Sequence, residues 1–229
     1  MTAWRTACRA SLPVLFGYLP LGMAFGVLFA GLDLSWWLAV VAGVIVYAGA
    51  AQFMAVGLLA AGASLPDVFL STLLMNARHV VYGLSVLDRY PQSGALKWYL
   101  VFGLTDETYS LVTSRSIPDP VNRHAFYGWL TALNQSYWIL GCGLGALLGV
   151  TFEISAAGLE FTLVALFVVL LIEQWFQIRR IEPLLVAVGI SAMALWIAPD
   201  QFLILALSAA VVLLGWLVRK EDVWTTPRS

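Results

Sequence analysis

The chain has 229 residues, 61% of them hydrophobic and 11% charged, with a formal net charge of −1. Its mean hydropathy is +0.88, whereas a soluble domain of similar size carries roughly 25% charged residues. These values exclude an ordinary soluble domain and give no sign of a nucleic-acid partner.

The class that fits is an all-α polytopic integral membrane protein, because helices satisfy their own backbone hydrogen bonds in lipid. A transmembrane barrel would show alternating segments of about ten residues, and the apolar runs here are long and continuous. The two cysteines, Cys8 and Cys142, lie far apart in the sequence and make neither a disulfide framework nor a metal site.

The first run, 12–30, follows Arg5 and Arg9 and is interrupted by Pro13, Pro20 and Gly22. It reads as an uncleaved first span, since no small-x-small cleavage site follows a short core. The second span is expected over 36–61. Its middle, Tyr47-Ala-Gly-Ala-Ala-Gln52, places Tyr47 and Gln52 at mid-membrane depth as candidate substrate contacts among small residues suited to helix packing. Ser64 and Pro66 open a third span over 66–87, as N-cap and first-turn residue.

Within that third span lies Met75-Asn-Ala-Arg-His-Val-Val-Tyr-Gly83. A charge at the centre of a membrane helix costs roughly 2.5–3.5 kcal/mol on insertion scales. Arg78 therefore needs a partner or a water-filled cavity. On one continuous helix, Ser71, Met75, Arg78, His79, Tyr82 and Ser85 would share an arc, with Thr72 and Asn76 at its edge. The fourth span, 96–113, carries the adjacent acids Asp106 and Glu107. The fifth, 126–150, sets Thr131, Asn134, Gln135, Trp138, Cys142, Gly145 and Gly149 on one face. A sixth follows over 159–176, and Pro199-Asp-Gln201 divides the remainder into 183–198 and 202–218. The count is eight spans, with seven as the alternative, in a single membrane transport domain over 1–229.

Lysine and arginine counts orient this map. With the N-terminus inside, cytoplasmic segments hold Arg5, Arg9, Arg115, Arg123, Arg179, Arg180, Arg219, Lys220 and Arg228, while outer segments hold Arg89 and Lys97. Both termini are therefore expected in the cytoplasm.

The chemistry concentrates in the buried polar residues. Arg78 offers a planar fork for Asp106, for Glu107 or for a substrate carboxylate. A carboxylic acid in a low-dielectric site exchanges protons near neutral pH, and histidine titrates in the same range. Tyr47, Gln52, Asn76, Arg78, Tyr82 and Asn134 are the expected substrate-binding residues, and His79, Asp106 and Glu107 the proton-coupling ones. His-Glu-x-x-His, Gly-x-Ser-x-Gly and glycine-rich phosphate loops are absent from the sequence. No enzyme, cofactor or metal site is expected. The rival readings are a membrane scaffold subunit and a small-solute channel.

Several blocks carry a resemblance. Ser11-Leu-Pro13, Ala24-Phe-Gly26, Tyr47-Ala-Gly-Ala-Ala-Gln-Phe53, Arg78-His-Val-Val-Tyr-Gly83, Phe102-Gly-Leu-Thr-Asp-Glu107 and Ala165-Leu-Phe167 resemble the AzlC/YgaZ family of branched-chain amino acid exporters. Where relatives often have Leu-Pro-Ala-Leu-Phe, this chain has Leu163-Val-Ala-Leu-Phe167. The resemblance implies a multi-pass protein of the bacterial inner membrane that exports L-valine and similar amino acids. It also implies a small membrane partner of the AzlD/YgaH type. Read physically, Arg78 or an opened backbone near 49–52 would receive the substrate carboxylate. Asp106 or Glu107 would then receive the ammonium group or a coupled proton.

Overall fold

The computed structural model describes residues 2–32, 34–91, 94–114, 117–118, 120–152, 168, 172 and 181–219. All regular structure among them is helical, as expected for the class. The expected sixth span, with Glu160 and Glu173, lies almost wholly outside the described residues. The chain forms two compact units, one from Met1–Gly62 with His79–Glu160 and one from Ala63–Arg78 with Phe161–Ser229.

The first unit is built on two long helices, α1 (Ala3–Ala30) and α8 (Arg123–Thr151). Among the described residues, α1 is the one helix that is long and apolar enough by itself to cross a bilayer. It continues as one helix through Pro13 and Pro20. Asn122 caps α8, its side chain accepting from Ala125 N at 3.0 Å.

The two helices pack closely because their facing positions lack side chains. A Cβ placed on Gly22 would lie 2.9 Å from Trp138 O, and one on Gly141 would lie 2.7 Å from Leu19 O. On Gly26 it would collide with Cys142 O and Ala146 N, and on Gly145 with Met23. This is small-xxx-small packing on both partners, the arrangement that lets membrane helices gain van der Waals contact without a hydrophobic driving force. The face expected on 126–150 is the one that packs, since Thr131, Asn134, Gln135, Trp138, Cys142, Gly145 and Gly149 are all buried.

Two expected spans of this unit are not single helices. Residues 36–61 give α2 (Trp37–Ile45) and α3 (Gly49–Ala60), separated at 46–48. Tyr47 sits there at φ 41, a left-handed conformation that is an outlier for a bulky side chain. Residues 96–113 give α6 (Ala95–Phe102) and α7 (Asp106–Ser114), separated at 103–105. Thr105 starts α7: its hydroxyl accepts from Thr108 N at 3.3 Å, and its carbonyl accepts from Tyr109 N at 2.8 Å. Asp106 and Glu107 then fall in the first turn, where the helix dipole favours negative charge.

The third expected span, 66–87, is divided as well. It gives α4 (Leu65–Asn76), a turn at Ala77, and α5 (Arg78–Val86). The single polar arc over 71–85 presupposed one helix, whereas its residues fall on two, α4 and α5. Ser71 and Met75 belong to the second unit, whereas His79, Tyr82 and Ser85 belong to the first.

In the second unit Ser64 caps α4 as expected, accepting from Asp67 N at 3.3 Å, with Pro66 in the first turn. Helices α9 (Glu182–Ile197) and α10 (Phe202–Arg219) are joined by a 3-10 turn at Pro199–Gln201. α10 packs against both α4 and α9.

Candidate functional site

The helix breaks of the first unit are tied together by side chains from α1 and α8. Tyr18 of α1 donates to Glu107 Oε2 at 2.5 Å, and its Oη lies 2.6 Å from Thr105 Oγ1. Thr105 Oγ1 is 3.1 Å from Thr108 Oγ1, which in turn accepts from Asn134 Nδ2 at 3.0 Å. A hydrogen-bonded chain thus runs from Asn134 on α8, through the start of α7, to Tyr18 and the Glu107 carboxylate. Tyr18, Thr105, Thr108 and Asn134 are buried. Glu107 is exposed as a residue, with its carboxylate turned onto Tyr18.

The other break has its own supports. Gln52 Oε1 accepts from Ala48 N at 3.3 Å and from Trp138 Nε1 at 2.9 Å. Gln135 Nε2 donates to Val44 O at 3.3 Å, and its Oε1 accepts from Tyr99 Oη at 2.9 Å. Gln52 therefore holds the start of α3 and Gln135 the end of α2. An interrupted helix exposes backbone polar groups that must be satisfied when water is excluded. The tryptophan ring lies against Gly49, where a Cβ would be 3.1 Å from its Cη2. Trp138 also meets Tyr18 edge-to-face with ring centroids 5.5 Å apart, so one indole touches both halves of the polar centre.

Satisfaction is incomplete. Tyr47 Oη, Gln52 Nε2 and Asn134 Oδ1 are buried without a hydrogen-bond partner among the described residues. Groups of this kind are costly to bury unpaired.

A second polar group lies on α5 and α7. His79 Nε2 is 4.0 Å from Asp106 Oδ1, with side chains 24% and 38% exposed. Tyr82 stacks on Tyr109 at 4.8 Å, and Ser85 donates to Tyr109 Oη at 3.2 Å. No metal-ligand cluster occurs among the described residues.

Of the expected site residues, the structure brings Tyr47, Gln52, Glu107 and Asn134 into the polar centre. It places His79, Tyr82 and Asp106 in the more open group. Asn76 ends α4 in the second unit. Arg78 begins α5, and its side chain lies outside the described residues. Sequence reasoning passed over Tyr18, Tyr99, Thr105, Thr108 and the bond made by Trp138. Thr105 followed by two acids carries the signature of an N-cap and acidic first turn, which marks the second break. Tyr18 has no such local signal.

A family model described as AzlC protein matches residues 13–152. The branched-chain amino acid transport protein AzlC of Bacillus subtilis is 33% identical over 208 residues, covering 90% of this chain and 82% of that protein. An uncharacterised membrane protein of Helicobacter pylori (strain ATCC 700392 / 26695) is 34% identical over 224 residues, covering 96% of this chain and 97% of its own length. The inner membrane protein YgaZ of Escherichia coli is 35% identical over 149 residues, covering 62% of this chain and 59% of that protein. No solved structure matches.

Proposed function

The chain belongs to the AzlC family of membrane proteins, and on that premise we propose that it is a secondary transporter exporting branched-chain amino acids such as L-valine across the bacterial inner membrane. The observation that carries the reading is the pairing of two helix interruptions, 46–48 and 103–105, around one buried polar centre. Non-helical backbone at membrane depth is tolerated where it is enclosed in protein or lines a cavity, and transporters use such interruptions to hold substrates and ions. The name of the Bacillus relative supports the substrate class.

In this reading the eight expected spans keep both termini in the cytoplasm, and a small AzlD/YgaH-type membrane protein is the partner. The substrate enters between the two interruptions, and export is coupled to protons through Glu107, Asp106 and His79. Apolar side chains around Trp138, among them Phe25 and Phe53, accept the branched tail. A methylene in such a pocket is worth only about 1–3 kcal/mol of discrimination, so valine, leucine and isoleucine are handled alike. Labelled valine efflux from preloaded cells lacking their own exporters tests the proposal. No efflux from well-inserted protein, with the small partner co-expressed, counts against it.

A further inference from the structure

The start of α3 differs from the other buried polar groups of the first unit in what it leaves unpaired. Its N-cap, Ala48, has no capping side chain, and its first turn carries no acid. Backbone donors at a helix start, together with the positive end of the dipole, form an anion site when something anionic is missing. The independent observation is Gln52. That side chain is 3% exposed, and its Oε1 is bonded to Ala48 N and Trp138 Nε1. Two donors on one oxygen fix which end of the amide is oxygen, because the reversed amide would set NH2 against both. Nε2 is therefore the donor end of a buried amide anchored through its oxygen at the start of α3, with no partner among the described residues.

We infer that the first turn of α3 receives the substrate's carboxylate, with Gln52 Nε2 as its side-chain donor and Trp138 as the residue that keeps that donor turned toward the site. The inference deepens the transport reading and rests on it. Glu107 supplies the opposite pole. Its carboxylate is bonded to Tyr18, and Trp138 touches both Tyr18 and Gly49. A zwitterion then lies across the indole edge, carboxylate toward α3 and ammonium toward Glu107. Trp138 acts through Gln52 as a positioning residue.

Inverted membrane vesicles carrying the full chain with its small partner test this through initial rates of labelled L-valine uptake, with L-valinamide and isobutylamine as competitors. Gln52→Glu is the diagnostic variant. Its carboxylate still accepts from Ala48 N and Trp138 Nε1, so a purely structural cap survives while the donor becomes an anion. Losing a charge-assisted hydrogen bond and adding repulsion raises the KM for valine by about tenfold or more. Inhibition by valinamide, which lacks the carboxylate, changes by less than about threefold. Trp138→Phe raises the KM about three- to tenfold with little change in kcat, because the amide is free to turn.

A valine KM within twofold of wild type in Gln52→Glu overturns the inference, as does equal loss for valine and valinamide. If Gln52→Glu fails to insert, the wild type decides alone: valinamide competing as well as valine overturns the inference, and competition weaker by about tenfold supports it. Vesicles in which the wild type moves no valine overturn the transport reading itself.

Discussion

Tyr18 and Glu107, 89 positions apart in the chain, are joined by a hydrogen bond of 2.5 Å between a phenol on α1 and a carboxylate in the first turn of α7. The long α1–α8 pair is thereby tied to the start of a broken helix. A shift of α7 relative to α1 must break this bond.

Tyr18→Phe removes that donor and leaves the ring. A hydrogen bond to a charged group is worth about 1.5–3 kcal/mol. Valine transport should therefore fall about tenfold or more at unchanged membrane level, as read by initial efflux rates. Wild-type rates in the variant would show that the bond is incidental.

Glu107→Gln keeps an acceptor for Tyr18 but cannot carry charge or a proton. Transport in sealed vesicles should lose its response to an imposed pH gradient. Asp106→Asn, at the more open His79 contact, should weaken the same gradient response, because it removes another proton-carrying group of the proposed path. A full gradient response in Glu107→Gln would remove Glu107 from the coupling path.

Gly26→Leu forces a side chain into the backbone of α8. Overpacking costs typically 1–3 kcal/mol, and here the neighbouring backbone cannot yield. The midpoint of thermal unfolding in detergent should drop clearly, or the protein should fail to accumulate. Gly17→Ala, with open space around the added carbon, should match wild type and serves as the control.

Fusions of reporters after positions 33 and 119 test the map drawn from the lysine and arginine counts. Opposite sides are expected. The same side at both positions would discard it.

The parts legible in sequence are those set by local chemistry or a single helical period. The buried face of α8 follows from its spacing, and the α4 cap from Ser64 and Pro66. The break before α7 was written locally too, in Thr105-Asp-Glu, but the apolar run on either side hides it. An opened backbone was expected near 49–52, but those residues begin α3 and the opening falls at 46–48. Its place was not readable, because its supports come from Gln135 and Trp138 on a distant helix. The uninterrupted course of α1 through two prolines also depends on what lies beside it. Hydropathy reports which segments avoid water; it does not report where a helix within one is held open.

The central claim is that this polar centre moves a branched-chain amino acid. Its most direct test is efflux of labelled L-valine from preloaded cells lacking their own exporters, comparing wild type, Glu107→Gln and Gln52→Glu with the small partner present and membrane levels matched. Rapid efflux in the wild type and loss of about tenfold or more in both variants is the predicted result. Equal efflux in all three would contradict it.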